Sequence, residues 1–329
     1  MTIGQQAHRS TTLFSVSAGK APTDDFSADM LKALASRPRY LSPKHFYDEQ
    51  GSSLFDQICE LPEYYPTRAE LSLLKLHARE IAEFLGKDVE IVEFGAGSQQ
   101  KIQLLLDAMD TPQCYVPIDI SGSHLAAAAE ALQRRYPQLD VRPVVGDYTC
   151  PLRLPAMHRN SDRRVGFFPG STIGNLCPSE ALTFLKQARH LLRGGGLLLG
   201  VDLIKDPAIL HAAYNDSQGV TAAFNRNVLI RANRELDANF EINAFAHSAF
   251  FNAPLQRVEM HLMSLRSQRV RVCDQTFSFA QGETLHTENS HKYTVDGLRS
   301  MAVKTGFELG PVWTDAQNQF CLCWLQIPF

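Results

Sequence analysis

The chain has 329 residues, of which 44% are hydrophobic and 20% charged, and this composition excludes an intrinsically disordered or fibrous protein. The formal net charge of −3, from 32 basic and 35 acidic residues, argues against broad electrostatic binding to nucleic acid or anionic membranes. No apolar run reaches the roughly 20 residues of a membrane span, and the polar N-terminus lacks a secretory signal. The seven cysteines are scattered along the chain, which suits reduced thiols, so we expect a cytoplasmic globular protein. We expect no obligatory protein partner.

The predicted elements begin after a stretch without periodicity. Residues 1–25 are expected to form a disordered tail, and apolar spacing predicts helices between residues 26 and 83. From residue 88 onward, short apolar runs alternate with amphipathic helices. The predicted strands are 89–94, 114–119, 141–147, 165–171 and 197–203, with helices after Gly97 and at 124–136 and 179–192. This alternation indicates βαβ units, and therefore a parallel sheet with right-handed crossovers.

The alternation ends after the fifth strand. Residues 205–250 are predicted to be helical, 251–285 to form antiparallel strands, 295–305 to form a helix, and 307–315 with 320–326 to form a hairpin-like pair. We therefore predict an α/β fold, a doubly wound Rossmann-like sheet with an inserted α+β domain. The predicted domains are 26–68 with 205–294 for the substrate and 69–204 with 295–329 for the cofactor.

The ends of the first three predicted strands carry the residues expected at a nucleotide site. Gly95 and Gly97 form a turn that lets backbone approach a ligand closely at the carboxyl edge of the sheet. Asp119 closes the second strand 22 residues after Gly97, where a carboxylate can accept both ribose hydroxyls. Asp147 and Tyr148 after the third strand can read an adenine ring. Alternatively, Asp119 only caps the following helix.

The kind of adenosyl ligand follows from the helix start. A dinucleotide site needs a third glycine where this chain has Gln100, because a pyrophosphate approaches the helix N-terminus closely. S-adenosylmethionine has no phosphate and suits the turn better. An NAD-dependent oxidoreductase is the second hypothesis, and a non-catalytic sensor of an adenosyl ligand is the third.

Four long sequence blocks narrow the interpretation. They are FYDEQGSSLFDQICELPEYYPTRAE (46–70), PGSTIGN (169–175), YNDSQGVTAAFNRNVL (214–229) and GETLHTENSHKY (282–293). Through these blocks the chain, from about residue 40 to its C-terminus, resembles the bacterial L-histidine Nα-methyltransferases of ergothioneine biosynthesis. The resemblance implies that S-adenosylmethionine donates three methyl groups to the α-amine of histidine, which gives the betaine hercynine.

The resemblance also implies roles for individual residues. Asn175 and Tyr214 would bind the amino-acid carboxylate, Glu288 and Ser290 would face the imidazole, and Tyr47 would lie beside the reacting amine as the proposed proton relay. The remaining substrate residues implied are Tyr64 and Met260, and the cofactor residues implied are Gly95, Lys101, Asp119, Asp147 and Tyr148.

The chemistry of these side chains agrees with those roles. An asparagine amide can donate to a carboxylate, and Glu288 can accept an imidazole N–H; a buried carboxylate there would favour a charged imidazolium. Ser290 lies two residues after Glu288 in an extended segment, so both point to the same face. Other readings stay open: Tyr64 and Met260 as core residues, Asn175 as a turn former, and Glu288 as a solvated strand carboxylate.

A metal site is not predicted. His286 and His291 flank Glu288, but no cysteine or further carboxylate is spaced along the sequence to complete a tetrahedral set. Related enzymes act on other aromatic amino acids, and the sequence alone does not distinguish those substrates from histidine.

Overall fold

A computed structural model describes residues 14–15, 26–192 and 194–328. The backbone of residues 14–15 pairs in parallel with residues 144–145, and the rest of the predicted N-terminal tail lies outside the described residues. No described helix is long and apolar enough to cross a membrane.

The elements of the described residues follow the chain in this order. The α-helices are α1 (Phe26–Ala35), α2 (Glu49–Glu60), α3 (Tyr65–Leu85), α4 (Gln99–Ala108), α5 (Gly122–Arg135), α6 (Pro178–Leu191), α7 (Pro207–Tyr214), α8 (Val220–Glu235) and α9 (Val295–Thr305). The strands are β1 (Phe14–Ser15), β2 (Arg39–Tyr40), β3 (Glu90–Phe94), β4 (Cys114–Asp119), β5 (Asp140–Val141), β6 (Val144–Val145), β7 (Arg164–Phe168), β8 (Gly196–Asp202), β9 (Phe245–Asn252), β10 (Arg257–Ser264), β11 (Gln268–Val272), β12 (Gln275–Phe279), β13 (Thr284–His291), β14 (Glu308–Thr314) and β15 (Phe320–Gln326).

The large sheet has the predicted doubly wound topology. Its strand order is β1-β6-β4-β3-β7-β8-β15-β14, with β5 also paired to β4. Within this sheet, neighbouring strands pair in parallel along β1, β6, β4, β3, β7 and β8. Strand β15 is antiparallel to both β8 and β14. The order reverses at β3, so the carboxyl ends of β3, β4 and β7 border the crevice where such sheets bind ligands.

Both faces of this sheet are covered, which explains the almost continuous apolar runs of its strands. In β3, Val92 packs in a core with α6 and α9, whereas Ile91 packs in a core with α3, α4 and α5. Both side chains are buried. The sheet is therefore a rigid support for the residues that follow its strands.

A third core joins the N-terminal helices to the segment after β8. It contains residues between Phe26 and Tyr65 and between Leu210 and Leu285. Its sheet has the order β2-β13-β10-β9, and β11 pairs with β12 separately. The sequence segments assigned to the substrate domain thus share one hydrophobic core.

Two predicted elements differ from the structure. The helix predicted over 205–250 is wrong at its end, because residues 245–252 form β9 and pair along their whole length with β10. Apolar residues in this segment fit both periods, so tertiary pairing decides. The predicted strand 141–147 is two short strands, and Pro143 between them has no N–H to donate to a neighbour.

Candidate functional site

The glycine turn after β3 is shaped by contacts on both sides. Gly95 has a φ of 74°, and its N–H donates to the carbonyl of Ile118 at 2.9 Å. A Cβ at Gly95 would lie 3.5 Å from the ring of Tyr148. At Gly97, no described atom would lie within 4 Å of a Cβ. Protein packing therefore does not explain the glycine at 97, and close approach of a ligand at this position stays a prediction.

Acidic and aromatic groups follow β4 and β6, as predicted. The carboxylate of Asp119 accepts from the backbone N–H of Ser121 at 2.8 Å, and that of Asp147 accepts from Thr149 N at 2.9 Å. Each of these bonds uses Oδ1, so a second oxygen remains for a ligand. Burial raises the pKa of Asp119. The ring of Tyr148 packs edge-on against Phe168 at 5.4 Å, beside the same turn. These residues fit the ribose and adenine of an adenosyl group.

Lys101 is held by a buried glutamate that the sequence analysis missed. Lys101 Nζ lies 2.7 Å from Glu70 Oε2, and the Glu70 side chain is completely buried. The N–H of Gly170 donates to both oxygens of Glu70 at 2.9 Å. The signal was present, because Glu70 lies among the apolar residues of the buried face of α3. Glu70 therefore fixes Lys101 and the loop after β7 together.

We expect Glu70→Gln to weaken S-adenosylmethionine binding about 10-fold, because Lys101 loses a charge-assisted partner and its position. Calorimetric titration of the cofactor would measure this change. Histidine binding to the complex with S-adenosylhomocysteine serves as the internal control and should change little. Lower thermal stability with unchanged cofactor affinity would contradict a role for Glu70 in positioning Lys101.

Tyr47, Tyr64 and Tyr214 lie in one aromatic cluster with Phe55 and Phe224. The ring of Tyr47 packs edge-on against the rings of Phe224 and Phe55, with ring centroids 5.8 and 5.6 Å apart. The ring centroids of Tyr64 and Tyr214 are 6.3 Å apart. Burial raises the pKa of all three tyrosines. The phenols are therefore protonated at neutral pH, and the hydrogen of Tyr214 is donated to Ser290 Oγ at 2.7 Å.

Tyr47 also connects the two predicted parts of the site. After burial, the nearby carboxylate of Glu288 and the nearby phenol of Tyr148 both disfavour ionisation of Tyr47 and raise its pKa further. Its phenol is thus within electrostatic reach of one residue predicted to bind substrate and one predicted to bind cofactor.

Glu288 is a buried carboxylate without a hydrogen-bond partner among the described residues. It lies on β13, two residues before Ser290, and is 7% exposed. Burial raises its pKa to about 7, and the nearby charge of Lys292 opposes this rise. Met260 on β10 is its cross-strand neighbour and is also buried. The interpretation of Glu288 as a solvated carboxylate is wrong, and a ligand as the partner of this buried carboxylate stays a prediction.

Asn175 is brought toward β13 by packing between two segments. It ends a short 3-10 helix, Thr172–Asn175, whose Gly174 carbonyl contacts His291 Nδ1 at 2.9 Å. A Cβ at Gly174 would lie 2.9 Å from the backbone oxygen of His291, so only glycine allows this approach. The Asn175 amide has no hydrogen-bond partner in the described part of the chain and can bind a ligand.

A charged network below Ser290 was not predicted. Asp202, at the end of β8, is buried and accepts from Tyr65 OH at 2.8 Å. It also pairs with Lys205 and with Lys292. The rule that selected Asp119, an acidic residue at the carboxyl end of a parallel strand, also selects Asp202. Lys292 had no such signal, because its neighbours come from distant parts of the sequence.

One group of potential metal ligands occurs in the described residues. Glu259, His261 and His286 offer ligand atoms within 4.8 Å of one another. The fold thus supplies the carboxylate that sequence spacing did not. However, Glu259 also pairs with Arg257 at 2.7 Å, and the two histidine rings stack at 4.4 Å. The absence of a functional metal stays a prediction.

The strand order, the antiparallel β15 between β8 and β14, and the acidic residues after β4 and β6 define an S-adenosylmethionine-dependent methyltransferase of the Rossmann-like class. The family model described as histidine-specific methyltransferase, SAM-dependent, matches residues 26–327. The chain therefore belongs to this family of enzymes, and the family predicted from the four sequence blocks is confirmed.

Individual relatives agree with this assignment. The histidine N-alpha-methyltransferase of Mycobacterium tuberculosis is 42% identical over 89% of this chain and 92% of its own length. The enzyme of the same name from Mycolicibacterium smegmatis is 40% identical over 93% of this chain and 96% of its own length. Ergothioneine biosynthesis protein 1 of Neurospora crassa is 35% identical over 60% of this chain and 23% of its own length.

Proposed function

We propose that the enzyme transfers three methyl groups in succession from S-adenosylmethionine to the α-amine of free L-histidine and forms hercynine for ergothioneine biosynthesis. The observation that carries this proposal is the buried, unpartnered carboxylate of Glu288 beside Ser290, close to the carboxyl edge of the cofactor sheet. Such a carboxylate suits a small ring with an N–H, and histidine has one. The histidine N-alpha-methyltransferases named above support the same substrate.

The proposed roles are the ones that the sequence resemblance implies, and the positions described above support them. Asn175 donates its amide to the substrate carboxylate, Tyr214 lies beside that carboxylate with its own hydrogen donated to Ser290 Oγ, and Tyr64 and Met260 line the side-chain pocket. Gly95, Gly97, Asp119, Asp147, Tyr148 and Lys101 hold the cofactor. When bound, S-adenosylmethionine supplies an activated methyl group on a sulfonium. The protein then has to align the neutral amine with that methyl, at about 3–3.5 Å between reacting atoms, and to remove a proton after each of the first two transfers.

Tyr47 is the proposed relay for those protons. Because its pKa is raised, the phenol is protonated at neutral pH and can pass a proton along a water chain without holding a charge. We expect Tyr47→Phe to slow at least one methylation step by about 10–100-fold. Single-turnover formation of each methylated product between pH 6 and 9 would measure this effect. Unchanged rates over the whole range would exclude Tyr47 from proton transfer.

The substrate is tested by incubating the purified protein with S-adenosylmethionine and a panel of free amino acids, followed by mass spectrometry. We expect three successive additions of a methyl group to histidine. If methylated product formed from tryptophan or another aromatic amino acid and not from histidine, that amino acid would be the substrate instead. Cofactor binding without product from any member would instead indicate a sensor.

We further propose that residues 26–68 with 205–294 bind the substrate, and that residues 69–204 with 295–329 bind the cofactor. The shared core of the first unit and the continuous sheet of the second support this division. All seven cysteines are free thiols, which supports the proposed cytoplasmic location. The near-neutral charge supports function without nucleic acid, membrane or an obligatory protein partner.

A further inference from the structure

Lys292 is a buried cation directly behind the proposed imidazole site. Its side chain is 1% exposed, and Nζ lies 2.7 Å from Asp202 Oδ2. Nζ also donates to Ser290 Oγ at 2.8 Å and to Tyr214 OH at 3.2 Å. An ammonium has three N–H donors, so these three oxygens satisfy it. All three hydrogens of Lys292 are therefore used within the protein, and its contacts toward the proposed imidazole site are the hydroxyl groups of Ser290 and Tyr214.

The ammonium of Lys292 determines whether the hydroxyl groups of Ser290 and Tyr214 act as hydrogen-bond donors or acceptors. Tyr214 OH donates to Ser290 Oγ at 2.7 Å, and Lys292 donates to the same oxygen. Both lone pairs of the Ser290 hydroxyl are thus occupied, and only its hydrogen is left for a ligand. Donation from an ammonium also polarises each hydroxyl and strengthens it as a donor. Ser290 is therefore fixed as a donor, whereas the ionised carboxylate of Glu288 can only accept.

We propose that Lys292 is a positioning and specificity-determining residue that selects the neutral imidazole ring of the substrate, an inference that rests on the proposed function. Neutral imidazole has one N–H and one bare nitrogen, which match Glu288 as acceptor and Ser290 as donor. An imidazolium has two N–H groups, so one of them would face the Ser290 hydrogen. This proposal differs from the sequence-based expectation of a charged imidazolium, which did not include Lys292, and the NMR measurement below distinguishes the two.

Lys292 also keeps Glu288 available as an acceptor near neutral pH. Its positive charge opposes the rise in the pKa of Glu288 that burial causes. The other titratable groups within electrostatic reach of Glu288 are uncharged phenols on four different segments: Tyr40, Tyr47, Tyr64 and Tyr214. Without the lysine charge, we therefore expect Glu288 to take up its proton at a higher pH.

A matched pair of variants separates this role from a structural one. In Lys292→Met, Asp202 keeps Lys205 and the hydroxyl of Tyr65 as partners, so the carboxylate of Asp202 is not left unpaired. In Lys205→Met, the same aspartate keeps Lys292 and Tyr65. Lys205 contacts Tyr65, Asp202 and the backbone of Leu203, but it does not contact Ser290 or Tyr214.

The experiment measures histidine binding by calorimetry, with each protein saturated with S-adenosylhomocysteine, between pH 6 and 9. We expect Lys292→Met to weaken histidine binding about 100-fold, and to move the loss of binding at low pH to a higher pH. Lys205→Met should change binding less than about 5-fold and keep the wild-type pH dependence. Equal losses in the two variants, or an unmoved pH dependence in Lys292→Met, would overturn the proposal.

A second measurement uses the wild-type protein alone. Histidine labelled with nitrogen-15 in its ring, bound to the complex with S-adenosylhomocysteine, should show one protonated and one unprotonated ring nitrogen by NMR at pH 7. Two protonated nitrogens would overturn the selection of a neutral ring. Methyl transfer is assayed in parallel, so that binding with the expected tautomer but without product would contradict the proposed reaction and leave the role of Lys292 intact.

Discussion

Glu288→Ala should lower kcat/KM for histidine by about 100-fold or more, while S-adenosylmethionine binding stays within about twofold of the wild type. The reason is that the alanine removes the only acidic acceptor proposed for the imidazole N–H, and a hydrogen bond to a charged group contributes about 1.5–3 kcal/mol. Steady-state kinetics with histidine as the varied substrate, together with calorimetric titration of the cofactor, would measure both quantities.

The isosteric variant Glu288→Gln refines this result. Burial raises the pKa of Glu288 to about 7, so in the wild type the acceptor is lost as the pH falls through that range. Histidine binding to the wild type should weaken below about pH 7, and this dependence on Glu288 should disappear in Glu288→Gln. As a control, Glu259→Gln changes a buried carboxylate of the neighbouring strand that is paired to Arg257. Equal loss of cofactor and histidine binding in Glu288→Ala would show that Glu288 is structural.

Asp119→Ala should weaken S-adenosylmethionine binding by about 100-fold or more. The carboxylate is expected to accept both ribose hydroxyls, and each charge-assisted hydrogen bond contributes about 1.5–3 kcal/mol. Cofactor titration would measure the loss, and Asp296→Ala is a suitable control because that carboxylate is exposed on α9.

The alternative role of Asp119, as a cap for α5, predicts a different outcome. Asp119→Asn keeps an oxygen that can accept from Ser121 N but loses one of the two acceptors for a ribose. We expect this variant to keep the wild-type melting temperature and still bind the cofactor at least about 10-fold more weakly. Suppose that Asp119→Asn binds S-adenosylmethionine with wild-type affinity and Asp119→Ala has a lower melting temperature. Asp119 would then act only as a cap for α5, and its role in cofactor binding would be excluded.

Much of the large sheet could be predicted because its signals are local. The apolar runs of β3 and β8 reflect burial on both faces, and Asp119 and Asp147 follow strands that end at one edge. The end of the predicted helix 205–250 could not be predicted in the same way. Its residues fit two periodicities, and the pairing with β10 that decides between them depends on a strand later in the chain.

The candidate site shows the same division between local and distant information. Tyr47, Glu288 and Ser290 were identified from sequence blocks, and the structure shows that they lie within one region. Two buried charged residues of this region were not predicted: Glu70, which holds Lys101, and Lys292, which donates to Ser290 Oγ. Glu70 had a local signal in its apolar surroundings on α3, whereas the partners that reveal Lys292 are distant in sequence. For Lys292, those partners are Asp202 and Tyr214.

Helix α3 connects the two halves of this region through a single rigid segment. Tyr64 directly precedes it, Tyr65 in its first turn bonds to Asp202, and Glu70, which holds Lys101, follows after a rise of about 7.5 Å along the axis. About 1.4 turns of an uninterrupted helix therefore separate a residue that supports the proposed amino-acid site from one that supports the proposed cofactor site. We therefore expect the two halves to keep their spacing while the substrate gains methyl groups, with room for the second and third methyl groups coming from expelled water or from rotation of side chains around the amine.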